Sequence, residues 1–121
     1  MDQSKNTLIT CIKNNDIDKL RDTLKNVKEK LTQEYSDLTE ERRKVLEFIN
    51  QSVDEERNTF LHIAAANGNL DLIKELVFNG ADRFAKNNKN AVPLGFSKNN
   101  SMVVNFFLSP AISLQSLRAI C

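Results

Sequence analysis

Apolar side chains recur every three or four positions over most of this chain, and the breaks between runs are sharp. Leu8, Ile9, Cys11 and Ile12 form a short apolar face, Asn14-Asn15-Asp16 interrupts it, and Ile17, Leu20 and Leu24 resume it. Such spacing places side chains on one face of a helix, so residues 7–25 predict two helices, with Asp16 placed to cap the second. The stripe continues through Val27, Leu31 and Tyr35, which predicts one long helix from Asp16 to about Tyr35. Ser36-Asp37-Leu38-Thr39 then breaks it and offers caps. Thr39, followed by Glu40 and Glu41, suits a new helix start, because carboxylates are favoured at the positive end of the helix dipole. That helix carries Val45, Leu46, Phe48 and Ile49 to about Gln51. A coiled coil would need its heptads to run through the break. Residues 16–51 therefore read as an antiparallel helical hairpin, with Arg42, Arg43, Lys44 and Glu47 on its solvated side.

Residues 58–82 read NTFLHIAAANGNLDLIKELVFNGAD. Thr59 opens a short helix, with Leu61, Ile63, Ala64 and Ala65 as packing residues. Asn67-Gly68-Asn69 is too short to be anything but a tight turn. Leu70, Leu72, Ile73, Leu76 and Val77 then follow helical spacing, and Asn79-Gly80 closes the helix with a residue free to adopt a left-handed backbone. Further on, Pro93, Gly95 and Ser97 to Asn100 allow only a weak helix. Met102, Val103, Val104, Phe106, Phe107 and Leu108 form a clearer one. Ser109-Pro110 ends it, and Pro110 suits the first turn of a terminal helix over 110–120 carrying Ala111, Ile112, Leu114, Leu117 and Ile120.

The central stretch resembles the ankyrin repeat, a unit of about 33 residues with the signature T-P-L-H-x-A. Thr59-Phe60-Leu61-His62-Ile63-Ala64 stands in for that signature, Gly68 falls at the inter-helix glycine, and Gly80-Ala81-Asp82 matches the exit. Phe60 departs from the family's proline. The resemblance implies an all-α stack of about three helix pairs forming a single domain over 1–121. Within it, 7–25 is a capping repeat, 26–53 a helical insert, 58–82 the central repeat, 83–108 a degenerate repeat and 110–120 a terminal helix. Asn15 and Gly68 are 53 positions apart, so about 20 residues are inserted relative to the family period. The terminal helix is either a lid on the last repeat or part of a longer array. The resemblance also makes His62 structural, hydrogen-bonded within and between repeats.

The formal net charge is +1, which gives no global attraction to nucleic acid. The distribution changes that picture locally. Residues 1–57 hold 11 basic and 13 acidic side chains; residues 58–121 hold 6 and 3, and no carboxylate side chain follows Asp82. Cys11 and Cys121 form no metal-binding or disulfide pattern, which points to a reducing compartment, the cytoplasm. No apolar run reaches membrane-spanning length and the N-terminus lacks a signal-peptide pattern. The 15 asparagines are a compositional bias typical of AT-rich genomes.

No phosphate-binding glycine loop or metal-ligand spacing is present. A Cys/His hydrolase would need a cysteine beside His62, and Cys11 belongs to another repeat. Neither a catalytic residue nor a cofactor is expected. The aromatic residues Phe78, Phe96, Phe106 and Phe107 lie on apolar stripes and are expected in the core. What remains is binding. The resemblance places RFAKNNKN, residues 83–90, at a projecting hairpin finger, and its basic composition favours a protein partner with an acidic surface. The candidate contact residues are Arg83, Phe84, Lys86, Asn87, Asn88, Lys89 and Asn90, together with Ala66 and Asn67 on the concave helix face. Phe84 either anchors the partner or packs under the finger. The expected function is a non-catalytic protein–protein interaction module, with no nucleic acid and no membrane. Two alternatives stand beside it. One is an N-terminal interaction domain or an effector that an intracellular bacterium delivers into a host cytoplasm. The other is an enzyme using Cys11 or Cys121.

Overall fold

The computed structural model describes residues 2–35, 37–97 and 100–108. The expected terminal helix over 110–120 and Cys121 lie outside these residues. Six α-helices and one 3-10 turn make up the described part, which contains no strand. Helix α1 spans Asp2–Lys13, α2 Ile17–Glu34, α3 Leu38–Ile49, α4 Phe60–Asn67, α5 Leu70–Phe78 and α6 Ser101–Leu108, and the 3-10 turn covers Pro93–Phe96. This is an all-α, ankyrin-like stack. Helix α1 packs on α2 and α4, α4 on α5 and the 3-10 turn, and α2 on α3 and α5.

The helix boundaries follow from side-chain chemistry. Asp16 caps α2 by accepting the Lys19 amide at 3.1 Å. Leu20, Leu24, Val27 and Leu31 then bury the predicted stripe in the common core. Helix α3 begins at Leu38, one residue before the expected start at Thr39. The cap is Asp37, whose carboxylate accepts the Thr39 amide at 2.9 Å and sits at the positive end of the helix. The same helix stops at Ile49, two residues early. Asn50 turns its amide back to the Leu46 carbonyl and across to the Gly80 carbonyl, both at 3.1 Å. Its side-chain oxygen accepts the Asp82 amide at 2.6 Å. Asn50 thus clamps the insert to the exit of the central repeat.

Inter-helix turns need backbone in the left-handed region. Gly68 supplies it after α4 (φ 77°), and Asn15 does the same after α1 (φ 58°), so the two positions are structural equivalents. Gly80 has φ 104°, the positive value expected at the end of α5. A Cβ there would also lie 2.5 Å from Leu46 Cδ2, so the insert packs against the space glycine leaves open.

The weak first helix of the third repeat is a single 3-10 turn, started by Pro93. In α6, Val103 and Phe107 are buried while Met102 and Leu108 are exposed. The expectation of core aromatics holds for Phe107. Phe96 and Phe106 are half-buried, and Phe78 is exposed at the end of α5.

Candidate functional site

Helix α4 fixes the finger from below. Thr59 caps it, and His62, three residues on, completes a reciprocal capping box. His62 is fully buried. Its Nδ1 accepts the Thr59 amide at 3.1 Å and lies 2.9 Å from the Thr59 hydroxyl. With that nitrogen an acceptor, the ring proton sits on Nε2, which donates to the Ala91 carbonyl at 2.8 Å. The Phe96 ring stands edge-on to the imidazole at 5.3 Å. Every ring nitrogen is occupied, which is the structural role read from the sequence.

Residues 83–90 fold as successive turns rather than as a strand hairpin. Asn87 is their centre. It is buried, and its Nδ2 donates to Asn58 Oδ1 at 2.9 Å. Its Oδ1 accepts the amides of Lys89 at 2.9 Å and Ala91 at 3.0 Å. The Asn87 amide donates to the Ala91 carbonyl at 3.0 Å, and Asn90 turns the chain with φ 60°. Asn87 therefore builds the finger from inside, with its side chain buried. Asn88 donates its amide to the Glu56 carbonyl at 2.9 Å.

The exposed flank is carried by Phe84 and Lys86, with half-buried Arg83 beside them. Phe84 is 65 % exposed, so the ring does not pack under the finger. Asp82 accepts the Phe84 amide at 2.9 Å. The Arg83 guanidinium lies 4.8 Å from the Phe84 ring centroid and donates to the Phe107 carbonyl at 3.2 Å. Lys86 is exposed. Lys89, also exposed, pairs with Glu56 at 3.6 Å. The acidic tip Asp54-Glu55-Glu56 thus sits beside the finger and offsets part of its charge. A sign of this was present in the sequence: Glu55 and Asn88 are 33 positions apart, one repeat period.

Ala66 and Asn67 are exposed at the other end of α4, about 10 Å away at 1.5 Å rise per residue. Asn67 donates to Asn15 Oδ1 at 2.7 Å and to the Ile12 carbonyl. On the other side, Asn100 donates to the Gly68 carbonyl at 3.2 Å. This end of α4 carries a ladder of turn-to-turn bonds, and the structure does not bring it together with the finger. In the sequence Asp54 stands out only as part of the acidic run Asp54-Glu55-Glu56, and no local pattern marks its hydrogen bonds with Asn58. Burial pushes the Asp54 carboxyl up, but hydrogen bonds from the Asn58 side chain and from the Asn58 and Glu56 amides outweigh it and hold it below the ordinary range.

Cys11 is buried among the core residues of α1. Burial, then the Asp16 charge, push its thiol above the ordinary value. Among the described residues no cluster of His, Cys, Asp or Glu is arranged to hold a metal ion, and no helix is long and apolar enough to cross a membrane.

Residues 56–88 match the family model described as Ankyrin repeat. This span contains α4, α5 and most of the finger, and it begins at the Glu56 that the finger contacts. No curated protein and no solved structure matches the chain. That match shows an ankyrin repeat at residues 56–88, and the all-helical stack around it is consistent with one; this repeat type generally serves as a protein–protein interaction module.

Proposed function

We propose that the chain is a non-catalytic binding module that docks a protein partner on the exposed flank of the finger and the adjacent helices. In this reading residues 1–121 act as one ankyrin-like domain, with 26–53 as the insert and 110–120 as its terminal helix. The observation that carries it is Phe84: a 65 % exposed aromatic ring beside an arginine, on a segment whose backbone is held by Asn87 and His62. Aromatic and arginine side chains are the usual anchors of protein interfaces, and an anchor on a fixed backbone loses little ordering entropy when it docks. The preference for an acidic partner rests on exposed Lys86, because Lys89 is engaged by Glu56 and Arg83 donates to the Phe107 carbonyl. Against a thiol enzyme stands the buried, raised thiol of Cys11, the reverse of what a nucleophile needs. A buried free cysteine also suits the reducing cytoplasm.

The test compares two baits in quantitative capture from a cell extract: the full chain, and the same chain with Phe84→Ser and Lys86→Glu. Both residues are exposed, so the melting temperature is expected to stay within the range of ordinary surface changes. Partners retained by the unaltered chain should fall about tenfold, the effect of losing roughly 1.4 kcal/mol at an anchor. Equal recovery on both baits would move the site to the Ala66–Asn67 end of α4 or to the insert.

A further inference from the structure

A second surface lies away from the finger, where α3 meets α2 and the end of α5. A groove of about 210 Å³ opens there. Its apolar part includes Leu38, 58 % exposed, and Phe78, 39 % exposed, with half-buried Val45 and Leu46. Along α3 the apolar stripe runs Leu38, Arg42, Val45, Leu46, Ile49, so a cation occupies a position that helical spacing gives to an apolar residue. The next two residues are paired, Arg43 with Glu40 at 2.6 Å and Lys44 with Glu47 at 3.4 Å. Among the described residues Arg42 pairs with no carboxylate. Lys28 adds a second cation to the rim, held by the side-chain oxygen of Asn79. The one carboxylate lining the groove, Glu41, already accepts the Thr32 hydroxyl at 2.7 Å. The groove thus combines an apolar floor with an unanswered positive charge. Its volume is below the roughly 300–1,000 Å³ of sites that enclose a whole small molecule, which favours the insertion of a side chain.

The geometry points to this groove as a docking site for a short apolar–acidic segment of a partner protein. One large apolar side chain rests on Leu38 and Phe78, and an aspartate or glutamate meets the Arg42 guanidinium. This inference does not rest on the finger. The experiment is a chemical-shift titration of the 15N-labelled full chain with acetyl-Leu-Phe-Glu-Glu-amide, its Gln-Gln counterpart, and hexanoate. The acidic peptide should shift the amides of Leu38, Arg42, Phe78 and Gly80 and bind about threefold tighter than the Gln-Gln peptide, as one rim charge pair allows. Arg42→Gln should abolish that difference with no change in melting temperature, and Phe84→Ser should leave it intact. Equal binding of the two peptides, no shifts at the groove, or shifts confined to the finger would overturn the proposal. So would hexanoate binding as tightly as the peptide, which marks a free-carboxylate site. Groove shifts that appear on concentrating the protein alone would assign the groove to a second copy and also overturn it.

Discussion

Helix α4 buries five of its eight residues and α5 four of its nine, whereas α3 of the insert buries two of twelve. Helices as short as α4 and α5 are marginal alone, so the repeat depends on tertiary packing and on its hydrogen-bonded ends. At one end His62 and Asn87 bind the finger; at the other, Asn67 and Asn100 join successive turns. The insert is held differently. The long α2 stripe joins the common core, Asn50 clamps the end of α3, and exposed charge pairs such as Arg43–Glu40 cover the outside. Exposed pairs contribute little to stability. A repeat that fixes its loops by buried polar bonds can present a rigid edge. An insert held mainly by apolar contact leaves apolar surface open, as at Leu38 on α3, beside Phe78 at the end of α5.

The largest expected effect tests the apolar half of this contrast. Leu31 is buried on α2, and Leu31→Ala should destabilise by roughly 2–5 kcal/mol in denaturant unfolding. A loss under 1 kcal/mol, or fast amide exchange throughout 27–49, would mean that the insert is not packed as described.

Removing the polar device in the repeat comes next. His62→Ala leaves the buried Thr59 amide without a partner and takes from the Ala91 carbonyl one of its two donors, the Asn87 amide remaining, at a cost of about 2–3 kcal/mol. Two-dimensional NMR of that variant should show the finger amides disturbed more than those of α3. A uniform small change across both would erase the distinction between the two regions.

Where repeat and insert meet, Gly80→Val combines a positive φ with a contact on Leu46, and about 1–3 kcal/mol should be lost. An unchanged melting temperature would contradict that junction. The smallest effect concerns acid. Asp54 has a lowered folded-state pKa, so its contribution is present above the unfolded aspartate value and disappears as pH falls through the folded one. Unfolding curves for Asp54→Asn and the unaltered chain should differ at neutral pH and converge in strong acid. A difference that grows with acidification would reverse the sign.

Much of this fold was legible because its signals are local. Asp16, Thr59, Gly68 and Gly80 act within a few residues of themselves, and the stripe from Leu20 to Leu31 needs only helical spacing. The finger was less legible. The burial of Asn87 and the pairing of Lys89 with Glu56 both depend on the loop at 54–58, one repeat earlier. By composition residues 83–90 are basic with no carboxylate and give no sign of which side chains face inward; tertiary contact sorted them into an inner side and an outer flank. Val45 and Leu46 follow the same logic, since spacing assigns them to a stripe but only packing decides how much of it is covered.

The central claim is that the finger is a fixed edge, ordered before any partner arrives. Native-state amide hydrogen exchange of the unaltered chain tests it most directly. The amides of Asn87, Asn88, Asn90 and Ala91 all donate within the fold. They should exchange far more slowly than an unstructured peptide and lose that protection together in His62→Ala. Exchange of these four at unstructured rates in the unaltered chain, with α4 still protected, would contradict the account.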